Sequence, residues 1–208
     1  METIVASDLQ SRLQGPLITP EHPEYHTARK VYNGMIDKHP ALIARCSSVD
    51  DVVTMINYAR ENALLVAIKG GGHNGAGLGV CDDGLVIDLS GMKRIEVDPD
   101  KRTVWVEGGC LLRELDAATH AYGLVVPTGI NGTTGVAGLT LGGGLGYLTR
   151  HCGLTIDNLL EANMVLADGR VVKASARENE DLFWAIRGEG EILASLRPFC
   201  FMRTRSVL

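Results

Sequence analysis

Val66-Ala67-Ile68-Lys69-Gly70-Gly71-Gly72-His73-Asn74-Gly75-Ala76-Gly77 is a short apolar run that ends in glycines with one histidine among them. Residues without a Cβ reach φ > 0 and let backbone N–H groups close on a phosphate, so a strand running into Gly70-Gly71-Gly72 reads as an anion cradle. Gly70 to Gly75 also fits G-x-G-x-x-G. The dinucleotide form of that motif needs a helix immediately afterwards. Here Leu78 to Gly84 is loop, and the strand-like Leu85-Val86-Ile87-Asp88 follows. The doubly wound nucleotide fold is rejected and the cradle kept.

Upstream of the cradle, Ala41 to Ala44 reads as a strand, and Ser48-x-x-Asp51 is a capping box opening a helix with the apolar face Val49, Val52, Val53, Ile56 and Ala59. Leu64 to Ile68 is the next strand, so strand, helix and strand deliver the glycines to a strand's carboxyl end. Residues 1 to about 40 carry Pro16, Pro20, Pro23 and Pro40 and read as a short helix, Ser7 to Leu13, with an extended approach that packs on the rest. Downstream, Met92 to Val97 and Arg102 to Glu107 flank the turn Asp98-Pro99-Asp100-Lys101 as a hairpin. Leu111, Leu112, Leu115 and Ala118 mark a helix, and Leu124 to Pro127 a short strand. A second glycine-rich region, Thr128 to Gly146, carries no charge and implies a second surface of close approach. Ala162 to Ala167 and Arg170 to Ala174 flank Asp168-Gly169 as a tight hairpin, and Glu180 to Arg187 is a final helix.

With 208 residues and 45% hydrophobic content, the chain can bury a sizeable core. A net charge of −5 without a basic cluster points away from nucleic acid and anionic membrane, towards small-molecule chemistry. Five scattered cysteines lack C-x-x-C spacing, so no disulfide framework or zinc site is indicated. The N-terminus, Met1-Glu2-Thr3-Ile4, lacks a positive segment followed by an apolar one, and no apolar run approaches the roughly 18 residues of a membrane span. A cytoplasmic setting is expected. Asp82, Asp83 and Asp88 read as a solvated loop and strand end rather than a metal cluster. Two glycine-rich segments some sixty residues apart suggest one extended ligand across both, although glycine runs also serve turns and tight packing. For His73, residue chemistry leaves two readings open: a ligand or catalytic group, or a loop histidine bonded to backbone. His120, His151 and Cys152 have no partner at ligand or triad spacing.

Six stretches occur together in order: Lys69 to Asn74, Leu85 to Ser90, Val106-Glu107-Gly108-Gly109, Gly135 to Gly146, Gly153 to Asn158, and Ala167 to Val172. In this order they resemble the flavin-linked oxidases of the berberine bridge enzyme and 6-hydroxy-D-nicotine oxidase group, over residues from about 38 to 190. The resemblance implies an α+β fold, the PCMH-type FAD-binding domain, with two subdomains clasping FAD. It divides the chain into an N-terminal extension (1–37), the FAD-binding domain (38–190) and an aberrant tail (191–208). Carried over, His73 matches the histidine bonded to the flavin 8α carbon. Lys69, Gly70, Gly71, Gly72 and Asn74 match the pyrophosphate loop, and Thr128, Gly135, Gly138, Leu139, Gly144 and Gly146 the opposite wall. A neutral imidazole nitrogen is nucleophilic near neutral pH, which suits attachment to an electron-poor flavin carbon. Some members add a thioether at the position that aligns with Asn131, which cannot form one, so at most one covalent bond is expected.

The resemblance further implies hydride removal from a carbon bearing a hydroxyl or amine, with oxygen taking the electrons, and places the substrate base in a later domain that this sequence lacks. The chain is therefore expected to be C-terminally truncated, with negligible turnover alone. A non-catalytic flavin-binding fragment and a noncovalent FAD dehydrogenase are the alternatives; His73 speaks against the second. After Arg187 the family pattern calls for glycines and Asn-Phe-Gly, whereas the chain reads Gly188-Glu189-Gly190-Glu191-Ile192-Leu193-Ala194. For one choice of codons for Arg-Gly-Gly-Gly-Gly-Asn-Phe-Gly, a single deleted G yields these residues, so a frameshifted tail is expected, the alternative being an ordinary divergent terminus. Arg197 to Arg205 follows neither strand nor helix period and is expected to dock poorly, leaving a sheet edge unpaired.

Overall fold

Alternating short strands and amphipathic helices assemble into two sheets. In the computed structural model, which describes residues 8–187 and the backbone of 199–205, β1 (Leu17–Ile18), β2 (Leu42–Arg45), β3 (Val66–Lys69) and β4 (Leu85–Asp88) form one sheet in the order β1-β2-β4-β3. The second contains β5 (Ile95–Asp98), β6 (Thr103–Glu107), β7 (Leu159–Val165), β8 (Val171–Ser175) and β9 (Phe199–Arg205), ordered β5-β6-β9-β7-β8. The helices are α1 (8–11), α2 (Tyr25–Ala28), α3 (Val49–Glu61), α4 (Leu112–His120), α5 (Val136–Leu141), α6 (Thr149–Cys152) and α7 (Glu180–Ala185). The architecture is α+β, as expected.

β2 and β3 both run parallel to β4, which lies between them, so the strand–helix–strand unit spans three strands and leaves room for β4 from beyond the glycine loop. All four β4 residues are buried, as a central parallel strand requires. One core lies under this sheet, where Val52, Met55, Ile56 and Ala59 of α3 meet Leu85, Ile87 and Leu89. On the other face Ile18, Tyr25, Ala28, Ile43 and Val86 pack together, which brings the proline-rich N-terminal segment into the core. The second sheet has its own core of Val104, Val106, Leu112, Leu115, Ala162, Met164 and Phe183.

Four expectations change. Ser48 caps α3 by accepting from the Asp51 N–H at 3.2 Å, but the Asp51 carboxylate does not complete the box. It accepts instead from the N–H groups of Gln14 (2.8 Å), Gly15 (3.1 Å) and Ser47 (2.9 Å). Residues 124–127 form no strand, only a single bridge at Val125, because Pro127 lacks a donor. Asp88 is not a solvated strand end. It is 2% exposed, pairs with Lys69 Nζ at 3.0 Å and caps the following 3₁₀ turn through the Ser90 N–H. β9 is not an undocked segment, because its backbone lies antiparallel between β6 and β7 and fills the gap between the two hairpins. Ladder bonds are made by main chain, so this slot admits a sequence without periodic patterning. The reading-frame account of the tail falls mainly on residues 188–198, outside the described residues.

Candidate functional site

β3 delivers the glycines to the seam between the two sheets. Gly71 meets Gly135 backbone to backbone: a Cβ built on Gly71 would lie 2.2 Å from Gly135 N, and one built on Gly135 would lie 2.4 Å from Gly71 N. No side chain fits at either position, so the close approach expected from two glycine-rich segments is real and is mutual. The cleft beside this contact has a volume of ≈ 290 Å³ and is lined by Lys69, Gly70, Gly71, Gly72, His73 and Asn74 on one wall and Gly135, Gly138 and Leu139 on the other. Thr128, Gly144 and Gly146 do not line it. Gly144 and Gly146 instead abut Thr155 and the Thr128 carbonyl, where a Cβ would lie 2.2 Å from Thr155 Oγ1 and 1.8 Å from Thr128 O. They shape the loop behind α5.

Gly72 has φ +68°, in the left-handed region. Among the described residues, the N–H groups of Gly70, Gly71, Gly72 and His73 meet no protein acceptor. Residues 70–73 are only partly buried, so four consecutive N–H groups are left available to solvent or to an anion at this wall. Opposite them, Gly138 on α5 has nothing within 4 Å of the place its Cβ would occupy, so the cleft is open where a side chain would fill it. Leu78, Leu89, Ala137 and Leu141 add apolar surface. Donors on one side and apolar surface on the other suit a ligand with both an anionic and an apolar part.

Lys69 was expected to contact the ligand's phosphates. Its ammonium is held by Asp88 and by the Ala28 carbonyl at 2.5 Å, with only its stem along the cleft. Its charge is therefore largely compensated within the protein. The imidazole of His73 is gripped on three sides. Tyr32 stacks on it with ring centroids 4.1 Å apart and planes at 18°, Thr133 Oγ1 lies 3.0 Å from Nε2, and Thr134 Oγ1 lies 3.4 Å from Nδ1. Burial holds its pKa below the usual 6.5, against a smaller upward pull from Thr133, which favours the neutral ring. Asn131 lies beside it through Thr133, while Cys46, Cys81 and Cys110 are buried elsewhere. Among the described residues no cysteine lines the cleft.

Sequence reading missed α5, Gly108 and the contacts of Tyr32, Thr133 and Thr134. Gly108 stood within a quoted motif, so its signal was present; Tyr32 lay in a segment without periodic pattern.

The FAD binding domain family matches residues 40–175. The chain belongs to this family. The FAD-linked oxidoreductase YgaK of Bacillus subtilis is 38% identical over 185 residues, covering 87% of this chain and 41% of that protein. The (R)-6-hydroxynicotine oxidase of Paenarthrobacter nicotinovorans is 37% identical over 178 residues, 86% of this chain and 39% of that one. The solved structure of BBE-like 1 from Physcomitrella patens superposes with a TM-score of 0.90 at 32% identity, covering 97% of this chain and 44% of the other. The chain thus spans about two fifths of the length of these relatives. It carries an FAD-binding domain, and the expected resemblance and fold hold. Among the described residues no helix is long and apolar enough to cross a membrane.

Proposed function

We propose that the cleft holds FAD with its diphosphate on the N–H groups of Gly70 to His73 beside Asn74. Gly135, Gly138 and Leu139 form the facing wall, supported from behind by Thr128, Gly144 and Gly146, and a covalent bond joins His73 to the 8α carbon. The carrying observation is the run of four N–H groups without a protein acceptor, ending at an imidazole held by Tyr32, Thr133 and Thr134. Bound FAD supplies a two-electron sink. The residues of this chain bind and orient it: the glycine walls admit the backbone approach, Tyr32 and Thr133 fix the imidazole plane, and the apolar wall excludes water. The whole protein is read as an oxidase of C–H bonds beside a hydroxyl or amine, with oxygen as acceptor.

Acid precipitation tests the tether. Yellow colour is expected to stay with the precipitated polypeptide, and a peptide map to place flavin on the His73 peptide alone. His73→Ala is expected to release all flavin to the supernatant while still binding it before acid. Free flavin from the unmodified protein overturns the covalent reading.

One observation favours a second reading, a cofactor-holding module without turnover of its own. Lys69 and His73 are the titratable side chains lining the cleft among the described residues, and the first is ion-paired. With the His73 imidazole taken up by the flavin bond, neither is left as a base for a substrate proton, a role worth about 10²- to 10⁴-fold in rate. Peroxide release by this chain with an alcohol, sugar and amine panel is expected to stay far below the roughly 1 per second of ordinary enzymes. Turnover at that rate sinks this reading.

A further inference from the structure

His73 has two ring nitrogens, and the hydrogen bonds around it distinguish them. Asn131 Oδ1 receives two donors, the Thr133 N–H at 3.1 Å and the Thr133 hydroxyl at 2.8 Å. Because a backbone N–H can only donate, the atom facing it is the amide oxygen, not the NH₂, and the orientation of Asn131 is settled by its own turn. The turn is closed by the Thr134 N–H donating to the Asn131 carbonyl at 3.0 Å, so the three residues move as one unit. A threonine hydroxyl has a single proton. With that proton on Asn131, Thr133 Oγ1 has only lone pairs to offer His73 Nε2 at 3.0 Å, and Nε2 must carry the imidazole proton.

The geometry points to Asn131 and Thr133 as positioning residues that hold His73 as the Nε2–H tautomer and so leave the Nδ1 lone pair free on the cleft side. This rests on the covalent reading above. Three further observations agree. Thr134, on the Nδ1 side, lines the cleft, whereas Thr133 and Asn131 do not. The Thr134 contact to Nδ1, at 3.4 Å, is at the long limit of a hydrogen bond and readily displaced. Tyr32 stacks on the ring and opposes a flip that would exchange the nitrogens.

The attachment then balances as follows. His73 Nδ1 bonds to the 8α carbon, one C–H bond of that methyl and the Nε2–H bond break, and two protons pass to water, Thr133 being exposed. The two electrons left behind go to dioxygen, which departs as peroxide. Asn131, the position where relatives of this group can carry a second tether, here orders the first one through its hydrogen bonds.

Long-range proton–nitrogen NMR of ¹⁵N-histidine-labelled, flavin-free protein reads the tautomer directly, because the protonated and unprotonated ring nitrogens differ strongly in shift. His73→Ala assigns the signal. His73 is expected as a single Nε2–H form. Thr133→Val and Asn131→Leu are expected to raise the minor tautomer and slow covalent flavin incorporation, each by roughly tenfold, about the worth of one hydrogen bond, while Thr133→Ser restores both. NMR of the flavin peptide from protein reconstituted in air is expected to show linkage at Nδ1. An Nδ1–H tautomer, or linkage at Nε2, overturns the inference while leaving the covalent reading intact. Absence of any His73 linkage defeats the covalent reading, and with it Nδ1 attachment, whereas the tautomer spectrum still decides the roles of Asn131 and Thr133.

Discussion

Gly71→Ala is expected to cost about 4 kcal/mol of stability and to abolish flavin binding, because its methyl would stand 2.2 Å from Gly135 N and 2.6 Å from Gly135 Cα. Both obstacles are main chain, so relief comes only by parting β3 from α5. That shift exceeds the side-chain rearrangements behind the ordinary overpacking penalty of about 1–3 kcal/mol. It also opens the seam on which the donors of Gly70 to His73 face the second wall. Gly138 supplies the control from the same cleft. Its Cβ meets nothing within 4 Å, it has no positive φ, and it sits in α5, where replacing glycine gains up to about 1 kcal/mol of helix propensity. Gly138→Leu is therefore expected to fold at least as well as the parent while losing about 2 kcal/mol, some thirtyfold, in FAD affinity as the side chain enters the cleft. Urea denaturation and flavin fluorescence titration on the two variants check both halves. A Gly71→Ala protein of parental stability removes the backbone contact from the account, and full FAD affinity in Gly138→Leu removes the cleft.

What could be read from the chain and what could not divide along physical lines. Strands such as Leu85 to Asp88 and the hairpin around Asp168-Gly169 carry their own signals, apolar runs and turn residues, and the structure places them where these signals point. The cradle was legible for the same reason: glycine at Gly70 to Gly72 states a backbone requirement whatever packs around it. Long-range pairing is different. Lys69 and Asp88 are register partners on β3 and β4, and only that parallel pairing makes them a buried ion pair instead of a phosphate ligand and a solvated carboxylate. α5 was hidden because glycine and threonine weaken a helical period that packing against Ile156 and Leu112 restores. Asn131 was legible only as a cysteine that is not there. Its work depends on a hydroxyl two residues on and an imidazole about sixty residues back, and no local pattern encodes such a relay.

Asp51→Ala is expected to lower stability by about 4 kcal/mol, although the residue does not line the cleft. Its carboxylate is 1% exposed and gathers the N–H groups of Gln14, Gly15 and Ser47 and the Ser47 hydroxyl. Truncation leaves those donors without their acceptor, at about 1–3 kcal/mol for each that stays buried. It thereby unties the N-terminal segment, whose β1 covers the edge of the first sheet. Asp51→Asn, which keeps one acceptor oxygen, is expected to lose about half as much. The same bonds set a pH dependence. Burial pushes this carboxyl's pKa up, but hydrogen bonds from Ser47, Gln14 and Gly15 together outweigh it and hold the pKa below the ordinary 3.8. The unfolded chain therefore binds the proton first on acidification. The stabilisation is full above the unfolded pKa of about 4 and is lost as pH falls through the folded one. Denaturation midpoints between pH 7 and pH 2 are expected to converge for the parent and Asp51→Asn at the acid end. A gap between them that stays constant over that range shows that the carboxylate's charge contributes nothing.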